Sequence, residues 1–171
     1  MKHANNIFLI GPMAAGKSTI GAHLAKILSR EFYDSDRVVE QRAGVDINWI
    51  FDVEGEKGFR NREENVIADL TAKSGIVLAT GGGSILSDKS RYSIMSRGVV
   101  VYLQASIEQQ LRRAEKDRRR PMLRGPGELR QRIEALQMER DPIYSSMADY
   151  SIMTGKPPSK IAEEIARLVT Q

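Results

Sequence analysis

A short segment near the start of the chain constrains the fold more than any other part of the sequence. The apolar run from Ile7 to Ile10 stops at Gly11, and the residues from Gly11 to Ser18 fit the pattern G-x-x-x-x-G-K-[ST]. This pattern is typical of a loop between a buried parallel strand and a helix, where backbone N–H groups converge on phosphate oxygens. The alternative is a glycine-rich turn that merely ends a strand, and the complete motif with its flanking residues disfavours it.

The same motif predicts what its side chains bind. Lys17 would bring a positive charge to the β- and γ-phosphates of a nucleoside triphosphate, and the Ser18 hydroxyl would offer a hard oxygen ligand to Mg²⁺. The residues expected to hold the triphosphate are Gly11, Ala14, Ala15, Gly16, Lys17, Ser18 and Thr19.

Length and composition indicate one globular domain. The 171 residues are 41% hydrophobic and 28% charged, which suffices for one buried core but not for two ordinary domains. No run of about 18 apolar residues is present, so no membrane span is expected. The absence of cysteine excludes disulfides and thiolate metal sites and agrees with a cytoplasmic protein, and the first residues leave no room for a signal peptide.

The charge of the chain raises the question of a nucleic acid partner. The net charge is +4, but the basic excess is concentrated around residues 112–124. A local cluster favours an anion site over a general polyanion-binding face. We therefore predict small-molecule ligands and no nucleic acid.

The order of the segments predicts an α/β fold. Strands are expected at 5–10, 32–33, 76–80, 99–103 and 151–154, and helices at 17–29, 37–42, 46–73, 88–97, 106–116, 128–140 and 159–169. Asp141-Pro142 is expected to end the penultimate helix. Alternating strands and helices favour a three-layer α/β/α domain over residues 1–171, with a central, mostly parallel five-stranded sheet.

Two acids follow the short second strand. Asp34 and Asp36 are spaced i, i+2, so on an extended strand end both carboxylates would point the same way, into the crevice at the carboxyl edge of the sheet. One could address Mg²⁺ and the other an acceptor hydroxyl. The alternative is that Asp36 only caps a helix over 37–42.

Three further segments are candidates for the site. Gly81, Gly82 and Gly83 follow a buried strand and would expose backbone N–H groups to a ligand, although a plain flexible turn is the alternative. Spacing alone predicts that the charged residues of 60–64 form a solvated helix face. The aperiodic basic segment 112–127, punctuated by Pro121 and Gly125, is predicted to be a mobile lid whose arginines close on the transferring phosphate.

The phosphate loop leaves two broad functions open, which are nucleotide hydrolysis coupled to motion and phosphoryl transfer to a small molecule. The chain is short, lacks an obvious Asp-x-x-Gly switch and offers a candidate lid. These features favour a small kinase with the architecture of the nucleoside-monophosphate kinases.

Motifs along nearly the whole chain resemble those of shikimate kinases. In the order and spacing of that family, the sequence carries the phosphate loop, Phe32-Tyr33-Asp34-Ser35-Asp36, Gly58-Phe59-Arg60 with Glu63-Glu64, Gly81-Gly82-Gly83, Arg120-Pro121 with Leu123, and Arg140-Asp141-Pro142-Ile143-Tyr144. The resemblance implies transfer of the γ-phosphoryl group of ATP, bound with Mg²⁺, to the 3-hydroxyl of shikimate. It also implies a substrate-binding segment at about 36–62. We expect a monomer.

The resemblance assigns roles to individual positions. It implies that Asp36 is the candidate base, that Lys17 and the lid residue Arg120 act on the γ-phosphate, and that Ser18 binds Mg²⁺ directly while Asp34 reaches it through water. The implied shikimate-binding residues are Asp36, Arg60, Glu63, Gly81, Gly82, Gly83 and Arg140, with the two arginines on the carboxylate and Glu63 holding Arg60. The implied adenine-side residues are Arg113, Lys156 and Pro158.

One departure and two alternatives accompany the resemblance. Shikimate kinases usually carry glycine where this chain has Ala14, and we expect Ala14 in an ordinary backbone conformation. A gluconate kinase is the nearest alternative, because gluconate is also a hydroxylated carboxylate. A non-catalytic nucleic-acid-binding module using the arginines of 112–124 is the alternative from another class.

Overall fold

A computed structural model describes residues 6–116 and 128–171. Its sheet contains five strands, β1 (Ile7–Ile10), β2 (Glu31–Asp34), β3 (Ile76–Ala79), β4 (Val99–Gln104) and β5 (Tyr150–Met153). They are ordered β2-β3-β1-β4-β5, and each neighbouring pair is parallel. The predicted α/β class with a five-stranded sheet is confirmed.

Seven α-helices of the described chain cover the sheet. They are α1 (Lys17–Ile27), α2 (Ser35–Ala43), α3 (Ile47–Thr71), α4 (Asp88–Arg97), α5 (Ile107–Ala114), α6 (Leu129–Met147) and α7 (Pro158–Val169), with a short 3₁₀ helix at Ser84–Leu86. Within the described ranges, no helix combines the length and the apolar character that a membrane crossing requires.

The central strands β3, β1 and β4 are buried on both faces because their side chains alternate between two apolar clusters. In β1, Phe8 and Ile10 pack in the cluster that includes residues of α3, α4 and α6. Ile7 and Leu9 pack in the other cluster, which includes residues of α1 and α7. Continuous apolar strands of this kind are what a parallel sheet between two helical layers requires.

Helix α6 runs beyond Pro142, so the predicted helix end at Asp141-Pro142 is wrong. Proline costs about 3 kcal/mol inside a helix, because its nitrogen carries no hydrogen. The last turn, however, buries Tyr144 and Met147 in the core. Full burial of such side chains contributes about 1.5–3 kcal/mol each, which offsets the loss.

Asp34, and not Asp36, caps helix α2. The Asp34 carboxylate accepts hydrogen bonds from the backbone N–H groups of Asp36, at 3.0 Å, and Arg37, at 3.3 Å. Asp36 therefore lies in the first turn of the helix. The predicted extended geometry of the two acids is wrong because α2 already begins at Ser35, between them. The alternative of an Asp36 cap is wrong because Asp34 takes the cap position.

Helix α3 is bent at Gly55, whose backbone has φ +75° and ψ 178°. Residues other than glycine rarely adopt this conformation, so the glycine permits the kink. Across the kink, Glu54 accepts hydrogen bonds at 2.9–3.2 Å from the guanidinium of Arg62. The first half of α3 can therefore turn toward the carboxyl edge of the sheet, where the segments following β1, β2 and β3 also lie.

Candidate active site

A cleft of about 530 Å³ lies at the carboxyl edge of the sheet. Its wall is built by segments that follow β1, β2 and β3, with additions from α5 and α7. The lining residues are Met13, Ala14, Gly16, Lys17, Ser18, Thr19, Asp34, Asp36, Arg37, Glu40, Asp46, Ile47, Asn48, Thr80, Gly81, Gly82, Arg113, Ala114 and Pro158. The cleft thus brings the phosphate loop, both acids and two glycines of the 81–83 turn to one place.

The phosphate loop holds Lys17 close to its own backbone. The ammonium of Lys17 donates to the carbonyls of Gly11, at 2.8 Å, and Pro12, at 2.7 Å. Gly16 precedes α1 with a left-handed backbone, and no side chain in the described part of the protein caps this helix. Backbone N–H groups at such a helix start, beside a lysine, fit the oxygens of a polyphosphate.

Ala14 has a left-handed backbone with φ +63°, so the prediction of an ordinary conformation is wrong. The loop turns sharply here, and the N–H of Ala15 reaches the carbonyl of Pro12 at 3.3 Å. The Arg113 guanidinium donates to the carbonyl of Ala14 at 2.6 Å. The alanine therefore keeps the backbone shape that a glycine would adopt more readily, at a cost of about 1–2 kcal/mol.

Ser18 and Asp34 form the candidate metal site. The Ser18 hydroxyl donates to one Asp34 carboxylate oxygen, while the other oxygen caps α2. The described residues contain no group of three or more histidine, cysteine, aspartate or glutamate side chains that could hold a metal. A hydroxyl and one carboxylate nevertheless fit Mg²⁺, which keeps several waters and takes the remaining ligands from phosphate oxygens.

The glycine turn, residues 81–83, is packed against charged side chains. A Cβ at Gly81 would lie 2.7 Å from Asp36 Oδ1 and 2.7 Å from Glu63 Oε2. A Cβ at Gly83 would lie 2.6 Å from the central carbon of the Arg60 guanidinium. These glycines therefore leave room for neighbouring side chains. The N–H of Gly81 donates to the Ser35 hydroxyl at 3.0 Å, so the expectation that it is exposed to a ligand is wrong.

Glu63 is a buried acid at the centre of this cluster. Its carboxylate accepts a hydrogen bond from Arg60 at 2.8 Å, and the residue is only 2% exposed. Burial raises the pKa of Glu63 to about 7; the positive charge of Arg60 lowers it and the negative charge of Asp36 raises it. The spacing-based prediction of a solvated face is therefore wrong for Glu63.

Arg140 reaches the cluster from α6, more than seventy residues away from Arg60. It is 3% exposed, and its Nη1 lies 3.6 Å from the point that a Cβ of Gly82 would occupy. Arg140 lines a smaller cavity, which shares Met13 with the main cleft. Arg60, Glu63, Gly83 and Arg140 do not line the main cleft; Arg60, Glu63 and Arg140 lie next to it, against the glycine turn.

Other predicted positions have mixed outcomes. Pro158 and Arg113 line the cleft, whereas Lys156 is exposed and does not. Gly11 and Ala15 are buried within the phosphate loop and do not line the cleft. Arg120 and most of the predicted lid, 112–127, lie outside the described residues.

Part of the cleft wall was not named residue by residue from the sequence. Glu40 lies on α2, Asp46 precedes α3, Ile47 and Asn48 begin α3, and Thr80 follows β3. Thr80 could have been found from its position at a strand end. The other four lie in the predicted segment 36–62, but which of its residues reach the cleft depends on how α2 and α3 pack together.

The sequence of this chain is similar to that of known shikimate kinases. The family model described as shikimate kinase matches residues 13–170. Shikimate kinase 1 of Salmonella newport is 55% identical over 161 residues, which cover 94% of this chain and 93% of that protein.

Solved structures agree with the sequence comparison. A shikimate kinase from Acinetobacter baumannii in complex with shikimate has a TM-score of 0.94 and 44% identity, covering 97% of this chain and 93% of that one. The enzyme from Aquifex aeolicus has a TM-score of 0.83 and 38% identity, with coverages of 96% and 95%. A gluconokinase from Sinorhizobium meliloti, at 18% identity, a TM-score of 0.61 and coverages of 99% and 94%, shares the fold alone. The cleft contains the phosphate loop and the two acids, and both the sequence and the structure match those of shikimate kinases. This chain therefore belongs to the shikimate kinase family.

Proposed function

We propose that this chain transfers the γ-phosphoryl group of ATP to the 3-hydroxyl of shikimate, giving shikimate 3-phosphate and ADP. One observation carries the proposal: Asp36, Arg60 and Arg140 converge on a glycine turn that forms one wall of the cleft containing the phosphate loop. A small hydroxylated carboxylate needs these groups, because guanidinium groups recognise a carboxylate and an aspartate can accept a hydroxyl proton.

The donor side would be held by the loop and α1. Backbone N–H groups from Ala14 to Thr19 would bind the phosphates, and Lys17 would neutralise charge at the γ-phosphate as it transfers. Ser18, with Asp34 acting through water, would hold Mg²⁺, which supplies further charge neutralisation when bound. Arg113 and Pro158 would lie beside the adenine with Lys156 near its edge, and Arg120 of the lid would meet the γ-phosphate.

The acceptor side would be held by the cluster around the glycine turn. Arg60 and Arg140 would bind the shikimate carboxylate, with Glu63 orienting Arg60 and with Gly81, Gly82 and Gly83 forming the wall. In the transfer, a bond forms between the 3-oxygen and the γ-phosphorus while the bond to the β,γ-bridging oxygen breaks. The hydroxyl proton passes to Asp36, and the leaving oxygen stays on ADP.

A gluconate kinase activity is the second candidate. Gluconate, like shikimate, carries a carboxylate and hydroxyl groups, so arginines alone would not discriminate between these two acceptors. The match of the family model over residues 13–170 favours shikimate.

The remaining expectations about the whole protein stay predictions. We expect residues 1–171 to act as a single-domain monomer in the cytoplasm. Segment 36–62 would bind shikimate, and the arginines of lid 112–127 would close on the transferring phosphate.

An assay of ADP release tests the proposed function. Shikimate should support turnover, whereas gluconate and nucleoside monophosphates should not. Arg60→Ala should raise KM for shikimate at least tenfold and change KM for ATP little, because one charge-assisted contact is worth about 1.5–3 kcal/mol. Arg62→Ala is the matched control, since Arg62 lies on the same helix but is paired with Glu54 at the surface. An unchanged shikimate KM in Arg60→Ala would contradict the assignment.

A further inference from the structure

Tyr144 is a buried tyrosine that contacts the site without lining the main cleft. It lies four residues after Arg140 on α6, so both side chains project from the same face of the helix. The residue is 1% exposed, and its ring packs against that of Tyr102 with centroids 5.0 Å apart. The ring is thus fixed in the core, and its hydroxyl is directed by the packing.

The Tyr144 hydroxyl donates to the carbonyl of Gly82 at 2.5 Å. The carbonyls on either side are used within the turn itself. The carbonyl of Gly81 accepts from the N–H and the hydroxyl of Ser84, at 3.1 and 2.8 Å, and that of Gly83 accepts from the N–H of Leu86 at 3.1 Å. Tyr144 therefore ties the middle peptide of the turn to the helix that carries Arg140.

Gly82 lies where three parts of the site meet. A Cβ at this position would be 3.3 Å from the backbone nitrogen of Met13 in the phosphate loop and 3.6 Å from Nη1 of Arg140. A displacement of the Gly82 peptide would therefore alter its contacts with both. Burial raises the pKa of Tyr144 to about 12, although the positive charge of Arg140 and a side-chain hydrogen bond with Arg140 lower it, so the hydroxyl keeps its proton and remains a donor at neutral pH.

We propose that Tyr144 is a positioning residue for carboxylate recognition: its hydroxyl holds the Gly82 peptide against Arg140 and so fixes the place where the acid group of the acceptor binds. This inference rests on the proposed function, because it takes shikimate as the acceptor. Tyr144 need not touch the substrate to act in this way.

Tyr144→Phe tests the proposal, with Tyr102→Phe as the matched control. The control removes a hydroxyl from the other ring of the same stacked pair, where it donates to Asp141 at 2.6 Å instead of to the glycine turn. Asp141 keeps Gln137 as a second donor at 3.4 Å. Both variants keep their ring. Tyr144→Phe loses the bond to Gly82, whereas Tyr102→Phe loses the bond to Asp141 and a longer one that the hydroxyl accepts from Gln137 at 3.4 Å, so we expect Tm to fall at least as much in the control.

The assay compares shikimate with shikimate methyl ester, which lacks the charge. Tyr144→Phe should raise KM for shikimate about tenfold, which corresponds to about 1.4 kcal/mol and lies within the range for one hydrogen bond, and should leave KM for ATP within twofold. The ratio of kcat/KM for shikimate over the ester should fall in Tyr144→Phe and stay unchanged in Tyr102→Phe. In an Arg140→Ala background, Tyr144→Phe should have no further effect on the ratio.

The possible results separate this inference from the proposed function. If the wild-type chain releases no ADP with shikimate, the proposed function fails. If it does, but Tyr144→Phe keeps the wild-type ratio or Tyr102→Phe lowers it equally, the positioning role is refuted. Loss of the fold in Tyr144→Phe while Tyr102→Phe remains folded would also refute it, because the hydroxyl would then be required for the fold itself.

Discussion

The buried carboxyl group of Glu63 should make the stability of this protein depend on pH in an unusual direction. Its pKa is raised from an ordinary value of 4.5 to about 7 in the folded protein, chiefly by burial. Between these two values the folded state binds more protons than the unfolded state. The free energy of unfolding therefore falls as pH rises through this window, which is opposite to the behaviour of an acid stabilised by a surface ion pair.

The size of the effect follows from the two pKa values. The difference between 4.5 and about 7 corresponds to about 3 kcal/mol, present in full below pH 4.5 and lost by pH 8. Glu63→Gln keeps the shape and a hydrogen-bonding oxygen for Arg60 but cannot titrate. Urea unfolding of the wild type and of Glu63→Gln, measured from pH 5 to pH 8, should show that the variant loses most of this decline.

Glu54→Gln is the control for this measurement. Glu54 lies on the same helix but is exposed at the surface, and the hydrogen bond from Arg62 lowers its pKa below 4.5. Its pKa is shifted away from the window between pH 5 and pH 8 and not into it, so the control should decline with pH like the wild type. Parallel curves for the wild type and Glu63→Gln would refute the reasoning, because they would show that Glu63 is already ionised at pH 5.

Two further predictions follow from backbone and packing geometry. Ala14→Gly should raise the free energy of unfolding by about 1 kcal/mol, measured by urea unfolding, because glycine adopts φ +63° without the strain; a lower stability would contradict this. Gly83→Ala should change Tm little, because the added Cβ would displace the guanidinium of Arg60 and not the backbone. The same displacement should raise KM for shikimate about tenfold and leave KM for ATP unchanged. An unchanged KM for shikimate would show that Arg60 does not bind the acceptor.

The parts of the site that the sequence predicted are those encoded within a few neighbouring residues. The phosphate loop needs a fixed spacing of glycine, lysine and serine between a strand and a helix, and all of it lies in one short segment. The positions after β2 and β3 were predicted for the same reason, since the carboxyl ends of parallel strands share one edge of the sheet.

The parts that could not be predicted depend on contacts between distant segments. Glu63 and Glu64 are adjacent and chemically alike. Glu63 is nevertheless buried beside Asp36 and Arg60, whereas Glu64 accepts a hydrogen bond from the Ser87 hydroxyl near the surface. The continuation of α6 past Pro142 depends on burial of the last turn in a core formed by other elements. Local propensity does not include such contacts between distant segments. The spacing of charges therefore predicted a solvated face for Glu63, and the proline predicted a helix end at Pro142, and both predictions were wrong.

The glycine turn shows how a correct location can be predicted for an incomplete reason. Three glycines after a strand suggest an exposed backbone, and none of them has a positive φ here, so conformational freedom does not explain them. Their lack of a side chain matters instead, because Asp36 with Glu63 fills the space at Gly81 and Arg60 fills it at Gly83. These side chains come from α2 and α3, so strand β3 sets where the turn lies and the packing of other helices sets what it must accommodate. A larger residue at 81 or 83 would therefore compete with the charged groups for the same volume, even where its backbone conformation is allowed.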